Sequence, residues 1–274
     1  MKQLKRKYSR IVVKLGSSIF SLSSGKINYS YLSAILDDIL DLISQGKEIV
    51  IVSSGAIAFG MNVLKLKTRP KKLSVLQTAA SIGQVHLMDA FNKFLKPRGI
   101  ACSQILLTWD DFSQKKRFIN ARNTLLDSLR LKVIPVVNEN DAVSVEEIKF
   151  GDNDKLSSLV SGLVDADLLI ILSDVDGLYK GKKCLRIVKK ITPDIERFAC
   201  GTDKEHCVGG MSSKITAAKI AGASGIPLVI ANGKTKNVLS KIINHYAVGT
   251  IFIPKNTRVT IDSELLTQIK AKHF

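Results

Sequence analysis

Four short segments combine residue types that could do chemistry, and the first three begin where an apolar run of strand-like composition ends. The first is Lys14-Leu15-Gly16-Ser17-Ser18. A lysine closing a buried strand is costly unless its ammonium meets an anion, and Gly16 lets backbone N–H groups come close to a phosphate. A lysine snorkelling at a strand edge is the plainer alternative. The P-loop spacing G-x-x-x-x-G-K-[ST] is absent. The second segment, Ser53-Ser54-Gly55-Ala56-Ile57-Ala58, is small enough to line a pocket for an anion or a carboxylate. It also fits a tight turn with a serine N-cap. The third pairs Asn138-Glu139-Asn140-Asp141 with Gly151-Asp152-Asn153-Asp154-Lys155. So many Asp and Asn residues suit a ligand carrying an ammonium group, or Mg²⁺. Caps and turns explain each one singly, but explain poorly such density in a chain of net charge +17. The EF-hand loop spacing and its closing Glu are missing. The fourth is Val208-Gly209-Gly210-Met211-Ser212-Ser213-Lys214. Paired glycines, hydroxyls and a lysine opening a helix form a phosphate cradle. A plain loop with Ser212 as N-cap accounts for the serine but not for the rest.

The elements that must hold these segments alternate along the chain. Strands are expected at Ile11–Val13, Ile49–Val52, Ile105–Leu107, Val133–Val137, Leu168–Leu172, Leu228–Ile230 and Gly249–Ile253. Helices are expected over about 28–45, with Leu32, Ile35, Leu36, Ile39 and Ile43 on one face and Gly46 as C-cap. Further helices are expected at 56–64, 73–95, 117–129, 155–163 and 212–223, and Gly177–Ile191 reads as a turn and hairpin with Gly181 at its tip. Strand–helix–strand order over the full length predicts an α/β fold with a mainly parallel sheet and helices on both faces. Ligands of such sheets bind at the carboxyl ends of the strands, which is where the first three segments begin, while the fourth opens a helix. No linker, repeat or low-complexity stretch divides the chain, so residues 1–274 read as one domain.

Composition narrows the function. The positive charge is spread along the chain, with no aromatic residues interleaved for base stacking and no zinc-finger or helix-turn-helix spacing. Solvated helix faces and attraction for anionic substrates are the expected use of it, not specific nucleic-acid binding. Cys102, Cys184, Cys200 and Cys207 form no C-x-x-C pair. They read as free thiols in a reducing compartment, and Cys200, His206 and Cys207 make at most half a metal site. The apolar run Ile11–Leu15 is too short for a signal peptide and no stretch approaches a membrane span. A cytoplasmic protein is expected.

Taken in order, V-K-L-G-S-S, I-V-S-S-G-A-I-A-F-G, F-I-N-A-R-N-T, V-N-E-N-D-A-V, F-G-D-N-D-K-L-S, L-S-D-V-D-G-L-Y and G-G-M-S-S-K resemble the serial motifs of the amino-acid kinase family over roughly residues 8 to 254. N-E-N-D and G-D-N-D ahead of G-G-M-x-x-K is similar to the members that phosphorylate the γ-carboxylate of L-glutamate, the first step of proline biosynthesis. The resemblance implies a three-layer αβα sandwich, with glutamate in the N-terminal half and ATP with Mg²⁺ in the C-terminal half. It implies that Lys14 and Lys214 flank the transferring phosphoryl group and that Asp154 orients both lysines. It implies that Ser54, Asp141, Asp152 and Asn153 hold glutamate. Ser173 and Asp174 would lie near the nucleotide, and Val208, Gly209, Gly210, Met211, Ser212, Ser213 and Lys214 would wrap its phosphates, with Lys14 also reaching them. A homo-oligomer and inhibition by proline are further implications. Many members carry an additional C-terminal domain of the PUA type, for which this chain ends too early. Where a threonine or other small polar residue is usual, the nucleotide loop begins with Val208, and Gly181–Cys184 is short for the hairpin beside the nucleotide. The rival expectations are a kinase of the same family acting on acetylglutamate, aspartate, carbamate or UMP, and a catalytically silent regulator.

Overall fold

In the computed structural model, residues 8–17, 28–144, 153–200, 210–244 and 248–256 are described. Buried β-branched runs form the strands β1 (Arg10–Leu15), β2 (Glu48–Ser53), β3 (Cys102–Leu107), β4 (Ile134–Glu139), β5 (Leu168–Ser173) and β9 (Leu228–Asn232). Short strands β6 (Tyr179–Lys180), β7 (Lys183–Cys184), β8 (Ile187–Val188) and β10 (Thr250–Phe252) complete the set among the described residues. The α-helices among the described residues are α1 (Tyr29–Ser44), α2 (Ala56–Val63), α3 (Leu73–Leu95), α4 (Trp109–Ser113), α5 (Lys115–Arg130), α6 (Asp154–Leu163), α7 (Pro193–Cys200), α8 (Met211–Ala223) and α9 (Val238–Ile243). The main sheet runs β3-β4-β2-β1-β5-β9-β10-β8. Its pairings are parallel except that of β10 with β9.

Strand alternation sorts the core into two layers. Ile11, Val13 and Leu15 pack with Leu32, Leu36 and Ile39 of α1, Leu87 and Phe91 of α3, and Leu239 of α9. Val12, Val50 and Val52 face the other way, onto Leu125 of α5, Leu156 and Val160 of α6 and Ala217 of α8. This is the expected αβα layering. Lys14 falls on the same face as Val12, the side of α6 and α8.

The long helices begin and end near their expected limits because their punctuation is local. Asn28 accepts from the Tyr31 N–H at 3.2 Å to open α1, and Gly46 follows it with φ +80°. Three details differ. The segment after the β6–β7 hairpin does not stay apart: β8 joins the main sheet beside β10, in parallel register. The short helices α4, α7 and α9, of five, eight and six residues, carry too few turns to show a period. Neither serine cap forms, since Gly55 (φ 101°) caps α2 and Gly210 (φ 66°) caps α8.

α2 and α3 touch backbone to backbone. A Cβ on Gly60 would lie 1.7 Å from the Ala79 carbonyl oxygen, and one on Gly83 would lie 1.8 Å from that of Ala56. Only glycine permits this approach.

Candidate active site

β1 and β5 are neighbours whose following connections leave in opposite directions, β1 toward β2 and β5 toward β9. Their carboxyl ends therefore form the switch-point crevice of the sheet. Lys14, in register with Ile171 of β5, is the last but one residue of β1. Its Nζ lies 2.8 Å from Asp154 Oδ1. Lys214, in the first turn of α8, places its Nζ 3.1 Å from Asp154 Oδ2 and donates to the Gly210 carbonyl at 3.1 Å. Lys14, Asp154 and Lys214 are 4 %, 0 % and 6 % exposed. Among the described residues two ammonium groups converge on one carboxylate in a nearly dry crevice, an arrangement that suits an anionic ligand. Asp154 opens α6, where the helix dipole favours its negative charge.

The third cluster divides by direction. Asn153, one residue before α6 and 6 % exposed, donates both Nδ2 protons inward, to the Ser53 carbonyl at 2.5 Å and Asn138 Oδ1 at 2.6 Å. Asn138 Nδ2 donates to Gln84 Oε1 at 2.8 Å, and Gln84 Nε2 to Gln104 Oε1 at 2.9 Å. Ser54, at the mouth of β2, has a buried hydroxyl with no hydrogen-bond partner among the described residues. Such an orphan is rare and marks a place where a ligand atom would be satisfied. Next to this ends a cavity of about 220 Å³ between α3, β3 and the end of β4, lined by Gln84, Gln104, Glu139, Asn140 and Asp141 among others. Glu139 is buried and accepts from Ser144 Oγ at 2.5 Å. Burial, and then the Glu139 carboxylate, push the Asp141 pKa up from 3.8 to about 7, against the pull of Arg69.

On the other side of the crevice, Ser173 closes β5 and donates to Asp174 Oδ1 at 3.0 Å. Asn232, at the end of the neighbouring β9, donates to Asp176 Oδ1 at 2.9 Å. Gly210, Met211, Ser212 and Ser213 form the start of α8. The Ser213 hydroxyl lies 2.8 Å from Asp154 Oδ2 and 2.9 Å from the Gly210 carbonyl. It thus braces the carboxylate from the helix that also supplies Lys214. The Gly16 amide, a candidate phosphate contact, instead extends the sheet by donating to the Leu172 carbonyl at 3.1 Å. Asp152, Val208 and Gly209 lie outside the described residues, as do His206 and Cys207. Lys14, Lys214, Asp154, Ser213, Asn153 and Ser54 meet at one crevice, with Asp141 at the adjoining cavity.

Sequence reasoning passed over Gln84 and Gln104. Gln84 sits inside a long helix, and nothing local distinguishes it from a surface glutamine. Its partner Asn138 is 54 residues away.

The model of the amino acid kinase family matches residues 9–232. This chain belongs to the amino acid kinase family. Its relatives within the family include the glutamate 5-kinase of Caldanaerobacter subterraneus subsp. tengcongensis, 44% identical over 258 residues, which span 92% of this chain and 69% of that protein. The glutamate 5-kinase of Clostridium acetobutylicum is 44% identical over 255 residues, 90% of this chain and 96% of that protein. Among solved structures, carbamate kinase from Giardia lamblia bound to AMP-PNP superposes with a TM-score of 0.61 at 17% identity, covering 92% of this chain and all of that one. At that identity the likeness shows the amino acid kinase fold.

Proposed function

We propose that this chain transfers the γ-phosphoryl group of ATP to the γ-carboxylate of L-glutamate, giving L-glutamate 5-phosphate for proline biosynthesis. The observation that carries the reading is the buried Asp154 held between Lys14 of β1 and Lys214 of α8. The names of its relatives support glutamate as the acceptor. The reading treats residues 1–274 as one cytoplasmic kinase domain with glutamate in its N-terminal half and ATP in its C-terminal half. No helix among the described residues is long and apolar enough to cross a membrane.

The attacking group needs no general base, because a γ-carboxylate is already ionised at neutral pH. The difficulty is bringing two anions together. Like unit charges 4 Å apart repel by about 4 kcal/mol at an effective dielectric constant near 20. Lys14 and Lys214 offset that repulsion and follow the charge onto the transferring group, while Asp154 and Ser213 fix where the ammonium groups stand. Ser54, Asn153, Asp141 and Asp152 hold glutamate, with carboxylates for its α-ammonium. Ser173, Asp174 and the 208–214 loop hold the nucleotide. Among the described residues no cluster of three or more His, Cys, Asp or Glu could hold a metal. Mg²⁺ is proposed as the companion of the nucleotide phosphates, whose charge it would neutralise. Proline would compete in the glutamate pocket, read as a rise in the KM for glutamate. A homo-oligomer would appear as a multiple of the chain mass in light scattering.

Hydroxamate trapping tests the reaction. With ATP, Mg²⁺ and hydroxylamine, glutamate should yield the γ-hydroxamate, and kcat/KM for N-acetylglutamate should be lower by up to ~10⁴-fold, since it lacks the ammonium the pocket carboxylates require. Comparable values for the two substrates would mean that the acceptor is wrong. No hydroxamate with any carboxylate acceptor, together with no ADP release with UMP, would favour the silent regulator.

A further inference from the structure

The side chains Gln104, Gln84, Asn138 and Asn153 form one continuous chain of amides from the cavity wall to the start of α6. Gln84, Asn138 and Asn153 are each at least nine-tenths buried. An amide can be turned either way, so its orientation follows from its neighbours. Here one end is unambiguous. The Ser53 main-chain carbonyl can only accept, so Asn153 must present its NH₂ to it. The second proton of that NH₂ goes to Asn138, which must then present oxygen to Asn153 and NH₂ to Gln84. Gln84 must present oxygen to Asn138 and NH₂ to Gln104. A single backbone group sets the polarity of all four amides. With both Nδ2 protons of Asn153 committed, the group it can offer a ligand is Oδ1, an acceptor.

We propose that Gln84 is a positioning residue for the acceptor substrate: by holding the Asn138 NH₂ it keeps the Asn138 oxygen on Asn153, the second of the two anchors that aim the Asn153 oxygen at the substrate, so that the site demands a hydrogen-bond donor there. This rests on the reading above, in which the acceptor carries an α-ammonium group. Removing the Gln84 oxygen frees Asn138 to turn. Once turned, Asn138 withdraws its oxygen from Asn153, which keeps the Ser53 carbonyl but loses its second anchor and aims Oδ1 at the substrate less firmly. A buried amide without its partner costs enough for about a tenfold change in an equilibrium.

Steady-state kinetics of the full chain test the inference. Gln84→Met keeps the volume and removes the hydrogen bonds. It should raise the KM for glutamate about tenfold, with kcat within ~3-fold and the KM for ATP within ~2-fold. Gln84→Glu keeps an acceptor for Asn138, and Gln104 can turn its NH₂ toward it, so this variant should restore a KM near that of the wild type. In an Asn153→Ala background Gln84→Met should add less than ~2-fold, because its route is gone. Should Gln84→Met melt below the assay temperature, Gln84→Asn, an amide too short to reach, carries the same expectation. An unchanged glutamate KM, an equal rise in the KM for ATP, or a full tenfold rise on top of Asn153→Ala would each overturn the proposal. A wild-type chain that does not turn over glutamate would overturn it together with the functional reading. An active wild type with indifferent Gln84 variants overturns this proposal alone.

Discussion

Two buried aspartates show how the same side chain serves opposite ends. Asp38, on α1, is 4 % exposed and takes the N–H groups of Leu239 and Ser240 at 2.6 and 3.1 Å and the Ser240 hydroxyl at 2.6 Å. It closes the N-terminus of α9, whose own cap residue, Asn237, makes no side-chain cap bond. Those donors all come from one turn, and two of them are main chain, so they cannot leave without unwinding the helix. Among the partners of Asp154 are the side chains of Lys14, Lys214 and Ser213, from two different elements. An ammonium on a flexible four-carbon stem can swing part of its charge to an arriving anion while keeping its anchor. Fixed donors make a carboxylate a fastener; movable ones make it a holder of charge for something else.

The comparison is broken most decisively at the lysines. Lys14→Ala and Lys214→Ala should each remain folded and lose ~10²-fold or more in kcat, the scale of one preorganised charge donor. Near-normal turnover with unchanged melting in either variant would make Asp154 as structural as Asp38. Next in size, Asp38→Ala should cost about 2 kcal/mol of stability in denaturant unfolding, by stranding buried donors, and leave kcat/KM for glutamate unaltered. An activity loss in the fully folded variant would erase the distinction. The smallest effect belongs to a third carboxylate, Asp141, which finds neither kind of partner set among the described residues. Its pKa is raised from 3.8 to about 7, first by burial and then by Glu139. Since only the ionised form receives an ammonium, the KM for glutamate should fall as pH rises through 7, by roughly tenfold between pH 6 and 8. Stability should move the other way. The folded state holds this proton more tightly than the unfolded chain, so the Asp141 contribution declines as pH rises from about 4 to about 7. In Asp141→Asn both trends should vanish. A pH-independent KM in the wild type would place Asp141 outside the binding step.

Most of the sheet was legible because buried parallel strands are short apolar runs flanked by glycine, asparagine and serine, and that signal is local. The limits of α3 matched the expected 73–95. β8 was not legible as part of the main sheet: two residues, Ile187 and Val188, carry no pattern, and their place follows from β10, more than sixty residues later. At the site, the charged and amide-rich segments stood out by type and density, whereas their bonding did not. Ser213 reads as a phosphate ligand from its loop, yet its hydroxyl is turned to Asp154. Gly16 reads as an anion turn, yet its amide completes the β1–β5 pairing. Gln84 is invisible for the same reason. Which partner a polar group finds depends on strands and helices meeting from distant parts of the chain, and sequence spacing carries none of that.

The bare contact between α2 and α3 bears on how a site of this design could change its substrate. Gly60 and Gly83 already let the two backbones touch, so no replacement can draw the helices closer, and every replacement wedges them apart. Ala56, at the start of one, and Ala80 and Gln84, on the other, line the same cavity. The freedom is one-sided. Losing a single glycine can open the way to a bulkier acceptor at one stroke, whereas a slimmer acceptor has to be met by adding bulk to the lining, residue by residue.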